Sequence, residues 1–263
     1  MIIGIPASSS KTQYFINQAY IQYVAEAGFT PFIITPEMFS NKNFVISAIN
    51  GLLLPGGIDV DPIYYGEDNS SSYAVDPEKD AFERDLFYTA LEHHLPIFGI
   101  CRGLQLIARE YMIASAKTFK VLESLYFCEH IGEHNQVDGQ QLSRNIHQHF
   151  VQFSPSLLYG AAEKSAEHKP VNSMHHQCLI VDINKKRSLY ENGFYITAWT
   201  QRGLKSPKNK AVNEVVCEAF VIRNWGSRIL AVQWHPEELK DLSLLRRFFL
   251  NEKEIATEHA HAI

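Results

Sequence analysis

The amino-acid sequence predicts an α/β fold: a doubly wound, mostly parallel β-sheet with helices on both faces, and an added antiparallel strand region in the second half. In the first half of the 263 residues, short apolar runs alternate with segments of helical periodicity. This order is typical of βαβ units, whose strands lie parallel in one sheet. In the second half, apolar runs follow one another closely, which favours antiparallel neighbours.

The first half is predicted to contain four strands, at residues 2–6, 31–35, 51–54 and 97–100. Predicted helices cover residues 12–28, 44–50 and 77–94 and the segment that follows Cys101. The first of these helices has apolar residues at helical spacing and ends at Gly28. Because ligand sites in parallel sheets collect at the carboxyl ends of the strands, we expect the turn at residues 55–57 and Cys101 at one edge of the sheet.

The second half is predicted to contain strands at residues 149–153, 178–183, 193–200, 214–224 and 227–233, and a helix over 242–250. A hairpin turn around residue 226 uses Gly226 at its permissive backbone position. We expect residues 1–250 to form a single domain, since this length is near the upper size for one continuous core. Residues 251–263 are polar and aperiodic, which predicts a frayed tail.

Composition excludes several classes of partner. The net charge is −5, and the sequence has no basic cluster of the kind that nucleic acid binding needs. No apolar run approaches the ~20 residues of a membrane-spanning helix, so no membrane association is expected. The four cysteines lack close pairing and zinc-type spacing, which favours reduced thiols in the cytoplasm. The histidines at positions 130, 134, 147 and 149 lack an ordered set of further ligands, so no metal site is expected.

The strongest chemical signal is Gly-Ile-Cys-Arg-Gly-Leu-Gln at residues 99–105. A short strand ends at a cysteine and a helix then begins, as in the nucleophile elbow of acyl-transfer enzymes. Gly99 and Gly103 lack a Cβ and so permit a strained turn and close contact between strand and helix. The helix N-terminus favours the thiolate form of Cys101. The pattern therefore predicts that Cys101 is a nucleophile.

Trp-His-Pro-Glu at residues 234–237 supplies further groups that amide cleavage needs. His235 is expected to take the thiol proton and to pass it to the leaving amine. A carboxylate at Glu237 is expected to orient His235, and the neighbouring Glu238 is the alternative. The backbone N–H groups of Arg102 and Gly57 are expected to form the oxyanion hole.

Several segments together resemble the γ-glutamyl-γ-aminobutyrate hydrolase family, which is a class I glutamine-amidotransferase-like family. These segments are residues 52–62 with 65–67, 76–80, 99–105, 171–177 and 232–237, in the order of the family, and the similarity spans about residues 1–250. The resemblance implies a flavodoxin-like sheet, a triad of Cys101, His235 and Glu237, and a thioester on Cys101. It implies no cofactor, and it places the enzyme in polyamine or GABA catabolism.

The resemblance also implies which residues line the γ-glutamyl pocket: Gln105, Asn172, Ser173, His175 and Gln177. Gln105 lies one helical turn beyond Cys101, on the same helix face. Residues 64–75 form either a lid over this pocket or a plain surface loop. The chain departs from the family after Cys101, because residues 108–115 lack the usual Gly-Gly pair. This departure predicts a longer helix and a rebuilt segment over residues 117–141, which affects specificity and leaves the triad intact.

The function expected from these residues is hydrolysis of the γ-glutamyl amide bond of a small γ-glutamyl amine, which releases glutamate and the amine. The expected partner is therefore this small molecule, and the sequence leaves the choice between monomer and homodimer open. One alternative is a glutaminase subunit that delivers ammonia to a separate synthetase. The other is a catalytically inactive regulatory relative, which the intact set of Cys101, His235 and Glu237 argues against.

Overall fold

The computed structural model describes residues 1–65, 72, 74–116, 125–128, 143–154, 167–201 and 213–250. These residues form one eleven-stranded sheet, a small two-stranded sheet and the helices around them. Among the helices of this part of the chain, none has the length and apolar character needed to cross a membrane. The tail predicted at residues 251–263 lies outside the described residues, and the single-domain prediction stays a prediction.

The strands are β1 (Ile2–Pro6), β2 (Ser8–Ser9), β3 (Tyr14–Phe15), β4 (Thr30–Ile34), β5 (Gly51–Leu54), β6 (Ile97–Ile100), β7 (Leu125–Cys128), β8 (His149–Phe153), β9 (Glu167–Val171), β10 (Cys178–Asp182), β11 (Phe194–Thr200), β12 (Glu214–Ile222) and β13 (Ile229–Val232). The α-helices are α1 (Gln18–Glu26), α2 (Pro36–Phe39), α3 (Lys42–Ala48), α4 (Pro77–Glu92), α5 (Arg102–Ala116), α6 (Lys186–Glu191) and α7 (Leu242–Phe249). Short 3-10 helices occupy Pro62–Tyr65 and Ile183–Lys185.

The parallel part of the large sheet has the strand order β4-β1-β5-β6-β13, and each of these neighbours is paired in parallel. Alternate residues of β5 face opposite sides, as the two-residue repeat of a strand requires. Leu52 and Leu54 join a core cluster that includes side chains of α3, α4 and α5. Leu53 joins a second cluster with side chains of α1 and α7. Helices therefore cover both faces of this part of the sheet, as predicted.

Strand β12 connects the parallel part to the antiparallel part. It is antiparallel to β13 over its second half and to β10 over its first half. Strands β11, β8 and β9 extend the sheet, and β7 pairs with β10, all in antiparallel register. These pairings confirm the predicted α/β class with an added antiparallel region in the second half.

The first predicted helix is shorter in the structure than the sequence suggests. It begins at Gln18, because Tyr14 and Phe15 pair with β2 as a short antiparallel ladder. Asn17 then caps the helix, its side-chain oxygen accepting the Ala19 N–H at 3.0 Å. Side-chain capping of this kind satisfies one of the N–H groups that have no partner within the helix.

Other differences concern elements that the sequence does not predict, namely α2, β7, β9 and α6. Strand β9 has the sequence Glu-His-Lys-Pro-Val, which has low β-propensity. The strand lies at the end of the sheet order, where proline is tolerated because an edge N–H needs no ladder partner. Gly226 has a φ of +77°, as its predicted turn position requires. Helix α5 continues through residues 108–115, where the sequence has no glycine.

Strand β6 and helix α5 pack so closely that two glycines have no space for a side chain. A Cβ on Gly103 would lie 2.3 Å from the carbonyl oxygen of Leu54, and one on Gly99 would lie 2.9 Å from the carbonyl carbon of Gly103. These neighbours are backbone atoms, so no rotation of a side chain relieves the contact. The predicted reason for glycine at both positions, close contact of strand and helix, is confirmed.

We predict that Gly103→Ala lowers the free energy of unfolding by about 1–3 kcal/mol, the usual cost of overpacking. The sign of the change in the free energy of unfolding is informative, because alanine in place of glycine inside a helix otherwise stabilises a protein by about 1 kcal/mol. Gly57→Ala is the control, since its Cβ would have ordinary contacts at 3.6 and 3.8 Å. Urea unfolding of both variants measures the difference, and a stabilised Gly103→Ala protein would contradict the packing described here.

Candidate active site

Cys101 stands at the turn between β6 and α5 in a left-handed backbone conformation, with a φ of +51°. This region is costly for a residue with a Cβ, so its occurrence at a cysteine indicates a locally imposed turn. The Cys101 N–H donates to the carbonyl of Val232 at 2.8 Å, which attaches the turn to the end of β13. The side chain is 7 % exposed. The elbow thus holds the sulfur at the carboxyl edge of the parallel strands and at the N-terminus of α5.

His235 follows β13 and brings its imidazole to Cys101. Its Nδ1 donates to Oε1 of Glu237 at 2.6 Å, and both side chains are buried. Burial alone lowers the pKa of His235. The charge of Glu237 and the charge and hydrogen bonding of Cys101 outweigh burial and raise this pKa to about 10. The surroundings of His235 therefore favour an imidazolium beside the sulfur.

Glu238 has a different partner from its neighbour. Its Oε1 accepts from Nε of Arg144 at 2.5 Å. Of the two adjacent carboxylates, Glu237 is thus the one placed on the ring of His235. The geometry agrees with the resemblance-based choice of Glu237, and the catalytic role itself stays a prediction.

The side chain of Asn172 holds the main chain of His235 at both ends. Its Oδ1 accepts the His235 N–H at 2.9 Å, and its Nδ2 donates to the His235 carbonyl at 3.0 Å. The same Nδ2 donates to the carbonyl of Arg144 at 2.9 Å. Asn172 is fully buried. The amide therefore acts on the protein backbone in this structure, and the predicted contact with substrate stays a prediction.

Tyr20 of α1 is a site residue that sequence reasoning counted only among the apolar face of a helix. Its hydroxyl oxygen accepts the Gly56 N–H at 2.9 Å. Burial, followed by the charges of Glu237 and Cys101, raises the pKa of Tyr20 well above its usual value. The phenol is therefore neutral beside these charged groups. It connects the turn after β5 to the surroundings of the candidate nucleophile.

The turn after β5 is crowded at Gly56 and open at Gly57. A Cβ on Gly56 would lie 2.7 Å from the Tyr20 hydroxyl and 2.9 Å from Cε1 of His235. A Cβ on Gly57 would have only ordinary contacts. The predicted donation of the Gly57 N–H to an oxyanion stays a prediction.

Arg102, the first residue of α5, is held by a buried charge cluster. Its guanidinium donates to the carboxylates of Asp80 and Glu83 on α4, and Lys79 Nζ donates to Glu83 at 2.5 Å. All four side chains are buried. Burial alone raises the pKa of Glu83, but Arg102 and Lys79 outweigh it and lower that pKa. Two positive and two negative groups thus fix the start of α5 against α4.

Two buried glutamines, Gln105 and Gln233, lie close to the nucleophile. Nε2 of Gln233 donates to the Cys101 sulfur at 3.5 Å. Nε2 of Gln105 donates to the Gln177 carbonyl at 3.2 Å and to Oε1 of Gln233 at 3.5 Å. Gln233 is the second residue that sequence reasoning missed. The signal in the sequence that could have revealed it is a polar residue at the end of an apolar strand, directly before Trp-His-Pro-Glu.

A cavity of about 240 Å³ adjoins Cys101. Of the predicted site residues, it is lined by Gly57, Cys101, Arg102, Gln105, His175 and Gln177. Asn172 and Ser173 are fully buried and are not among its lining residues. Two polar side chains that are not among the predicted site residues also line it, Asp59 and His176.

Two further predictions are the lid or surface loop at residues 64–75 and the absence of a metal site. Residues 66–71 and 73 of the predicted lid or surface loop lie outside the described residues, as do His130 and His134. Across the described ranges, no group of three or more His, Cys, Asp or Glu side chains is arranged to hold a metal ion.

Comparison with known proteins identifies the class of this fold and site. The model of the Peptidase C26 family matches residues 2–237. A glutamine amidotransferase-like protein, YvdE of Lactococcus lactis, is 28% identical over 229 residues, which are 85% of this chain and 80% of that protein. The γ-glutamyl-γ-aminobutyrate hydrolase of Escherichia coli O157:H7 is 29% identical over 228 residues, which are 84% of this chain and 78% of that protein.

A solved structure supports the fold alone. The glutaminase domain of Trypanosoma brucei CTPS, with bound acivicin, has a TM-score of 0.52 at 15% identity and covers 94% of this chain and 92% of that one. The class defined by fold and sequence is that of the glutamine amidotransferase-like hydrolases. Within this class, the chain belongs to the Peptidase C26 family.

We predict that Glu237→Gln moves the pKa of His235 down from about 10, because the neighbouring negative charge is lost. NMR titration of the His235 ring measures this change, and Glu238→Gln is the matched control, expected to leave the pKa in place. Because the folded-state pKa is raised from 6.5, the protonated ring adds stability that is complete below pH 6.5 and is lost between pH 6.5 and about 10. A His235 pKa that stays near 10 in Glu237→Gln would contradict this account.

Proposed function

We propose that this protein hydrolyses the γ-glutamyl amide bond of a small γ-glutamyl amine through a thioester on Cys101. The observation that carries the proposal is the buried contact of three groups, the Cys101 sulfur, the His235 imidazole and the Glu237 carboxylate, next to a cavity of about 240 Å³. A thiolate beside an imidazolium is a strong nucleophile near neutral pH. Family membership supports the same chemistry.

In the acylation step, the Cys101 thiolate attacks the amide carbon and a carbon–sulfur bond forms. The protonated His235 then gives its proton to the leaving nitrogen, and the carbon–nitrogen bond breaks. The free amine departs and a γ-glutamyl thioester remains on Cys101. Glu237 keeps the proton of Nδ1 in place, so that the other ring nitrogen faces the reacting atoms.

In the deacylation step, His235 takes a proton from a water molecule, and the resulting hydroxide attacks the thioester carbon. The carbon–sulfur bond breaks, glutamate leaves, and Cys101 returns as a thiolate beside the protonated His235. Protons and electrons balance over the two steps without a cofactor, because the net reaction adds one water to one amide.

The negative oxygen that forms in each step needs hydrogen-bond donors that are already in position. We assign this role to the backbone N–H groups of Arg102 and Gly57. The first N–H groups of a helix have no acceptor within it, and Arg102 is the first residue of α5. Its ion pairs with Asp80 and Glu83 hold this donor in a fixed position. Both Arg102 and Gly57 line the cavity beside Cys101.

The identity of the proposed substrate is supported by similarity to a protein named γ-glutamyl-γ-aminobutyrate hydrolase. We therefore propose γ-glutamyl-γ-aminobutyrate or a similar γ-glutamyl amine as substrate. A cytoplasmic enzyme of polyamine or GABA catabolism follows from the same proposal. Whether the enzyme is a homodimer is a separate prediction, to be measured by light scattering.

We predict that Cys101→Ala lowers the rate of γ-glutamyl amide hydrolysis by at least about 10³-fold, because the nucleophile is lost. The control is Cys178→Ala, which removes another buried thiol and is expected to retain activity. A panel of γ-glutamyl amines and glutamine measures the rates. Mass spectrometry of acid-quenched wild-type enzyme is expected to find one γ-glutamyl group on the peptide that contains Cys101.

Three outcomes would overturn the proposal. A Cys101→Ala enzyme with the wild-type rate would exclude the thioester mechanism. Turnover of glutamine only in the presence of an added synthetase would favour an ammonia-delivering subunit. A Cys101 thiol that reacts with iodoacetamide no faster than a free cysteine, together with no turnover of any amide, would favour an inactive regulatory relative.

We predict that Asn172→Ala lowers kcat by about 10–100-fold and changes KM by less than about threefold, because a displaced His235 backbone misplaces the ring relative to the sulfur. Asn172→Asp keeps the acceptor for the His235 N–H and loses the donor, so an intermediate kcat is expected. Steady-state kinetics on one γ-glutamyl amine separates the two parameters. A raised KM with unchanged kcat would instead identify Asn172 as a substrate contact.

A further inference from the structure

We propose that Asp59 and His176 recognise the amino acid end of the γ-glutamyl group, Asp59 binding the α-ammonium and His176 the α-carboxylate. This inference rests on the proposed γ-glutamyl hydrolase function. It adds two specificity-determining residues to that site, neither of which has a role in the mechanism described above.

The two side chains form a hydrogen-bonded pair in the wall of the cavity. Nε2 of His176 donates to both carboxylate oxygens of Asp59, at 3.1 and 3.0 Å. The His176 side chain is 10% exposed and the Asp59 side chain 14%, so both are largely buried and still open on the cavity side. Asp59 follows β5 and His176 follows β9. The pair therefore forms only where the turns after these two strands meet beside Cys101.

The position of the cavity indicates which half of the substrate occupies it. Cys101 lines the cavity, whereas His235 is not among its lining residues. The leaving amine has to lie within hydrogen-bond reach of His235, since this ring gives it a proton. The amine half therefore lies on the His235 side of the sulfur, and the acyl half occupies the cavity. The α-carbon of a γ-glutamyl group is three bonds from the attacked carbon, which puts its charged groups about 5 Å away.

The other polar side chains on this cavity are engaged in contacts within the protein. Arg102 is bound to Asp80 and Glu83. Nδ1 of His175 donates to the Gln177 carbonyl at 2.8 Å. Asp59 and His176 are the pair that offers a carboxylate acceptor and an imidazole N–H donor, and a γ-glutamyl group carries an ammonium donor and a carboxylate acceptor at its α-carbon.

Substrate binding exchanges the partners of Asp59 and His176, and this exchange avoids the free-energy cost of leaving a buried polar group without a partner. A buried charge without a partner is strongly unfavourable. When the substrate enters, the α-ammonium replaces His176 as the partner of Asp59, and the α-carboxylate accepts from His176. The Asp59 carboxylate and the His176 N–H therefore each have a partner before and after binding. A substrate that lacks one of its two charges would break the wall pair and leave one of its members without a partner.

The test uses three p-nitroanilides that differ only at the α-carbon. γ-Glutamyl-p-nitroanilide has both charged groups, glutaryl-p-nitroanilide lacks the α-ammonium, and 4-aminobutyryl-p-nitroanilide lacks the α-carboxylate. For the wild-type enzyme, we expect kcat/KM to be about 10–100-fold lower for each truncated substrate, which is the usual range for a lost hydrogen bond between charged groups.

Two variants assign the two contacts. Asp59→Asn is expected to lower kcat/KM for the γ-glutamyl substrate by about 10–100-fold and to leave the glutaryl substrate within about threefold. His176→Gln is expected to behave in the converse way, with the 4-aminobutyryl substrate unaffected. The matched controls are Asp85→Asn, which acts on an exposed ion pair with Lys42, and His93→Gln at the exposed end of α4. Both controls are expected to leave all three rates unchanged.

The outcomes separate this inference from the proposed function. Wild-type enzyme that hydrolyses no γ-glutamyl amide overturns both. Wild-type enzyme that hydrolyses the γ-glutamyl substrate and the truncated substrates equally well overturns only the inference, and this result needs no variant to fold. An Asp59→Asn enzyme that loses the same factor on all three substrates, or that changes only its preference among amine halves, also overturns the inference and leaves the function standing.

Discussion

The close contact of strand β6 and helix α5 against the end of β5 is the constraint on which the site depends. Gly103 meets the Leu54 backbone at a distance that no side chain permits, and this contact forces the chain to turn sharply between strand and helix. Cys101 occupies that turn at a φ of +51°. The strain is compensated by the packing on both sides, so the sulfur has a fixed place beside the end of β13 and the residues that follow it.

The buried charged side chains on both sides of this turn are paired with groups of opposite charge. Arg102 is paired with Asp80 and Glu83 on one side, and His235 is paired with Glu237 on the other. Buried pairs of this kind contribute little net stability, but loss of one member is costly, which makes each position specific. The same rule applies at the cavity wall, where Asp59 and His176 hold one another in the absence of substrate.

Sequence patterns predicted the fold and the reacting groups because both have local signatures. Residues 97–105 combine a buried strand, two glycines and a helix start, and residues 234–237 follow another buried strand. The neighbours of these groups have no such signature. Tyr20 looks like one aromatic residue on an apolar helix face, and Asn172 like one polar residue among several. Their roles depend on contacts with Gly56 and with the His235 backbone, residues 36 and 63 positions away.

The sequence by itself determined the α/β class, the alternation of strands and helices along the first half, and the candidate groups Cys101 and His235, with Glu237 and Glu238 as alternative carboxylates. Each of these follows from residue type and short-range spacing, which act on the local backbone. Only the tertiary structure decided that Glu238 pairs with Arg144, that Gly56 is the glycine without space for a side chain, and that Asp59 accepts hydrogen bonds from His176. The physical reason is that a hydrogen bond or a steric contact depends on which distant segments the sheet brings to one edge, and spacing along the chain does not encode this.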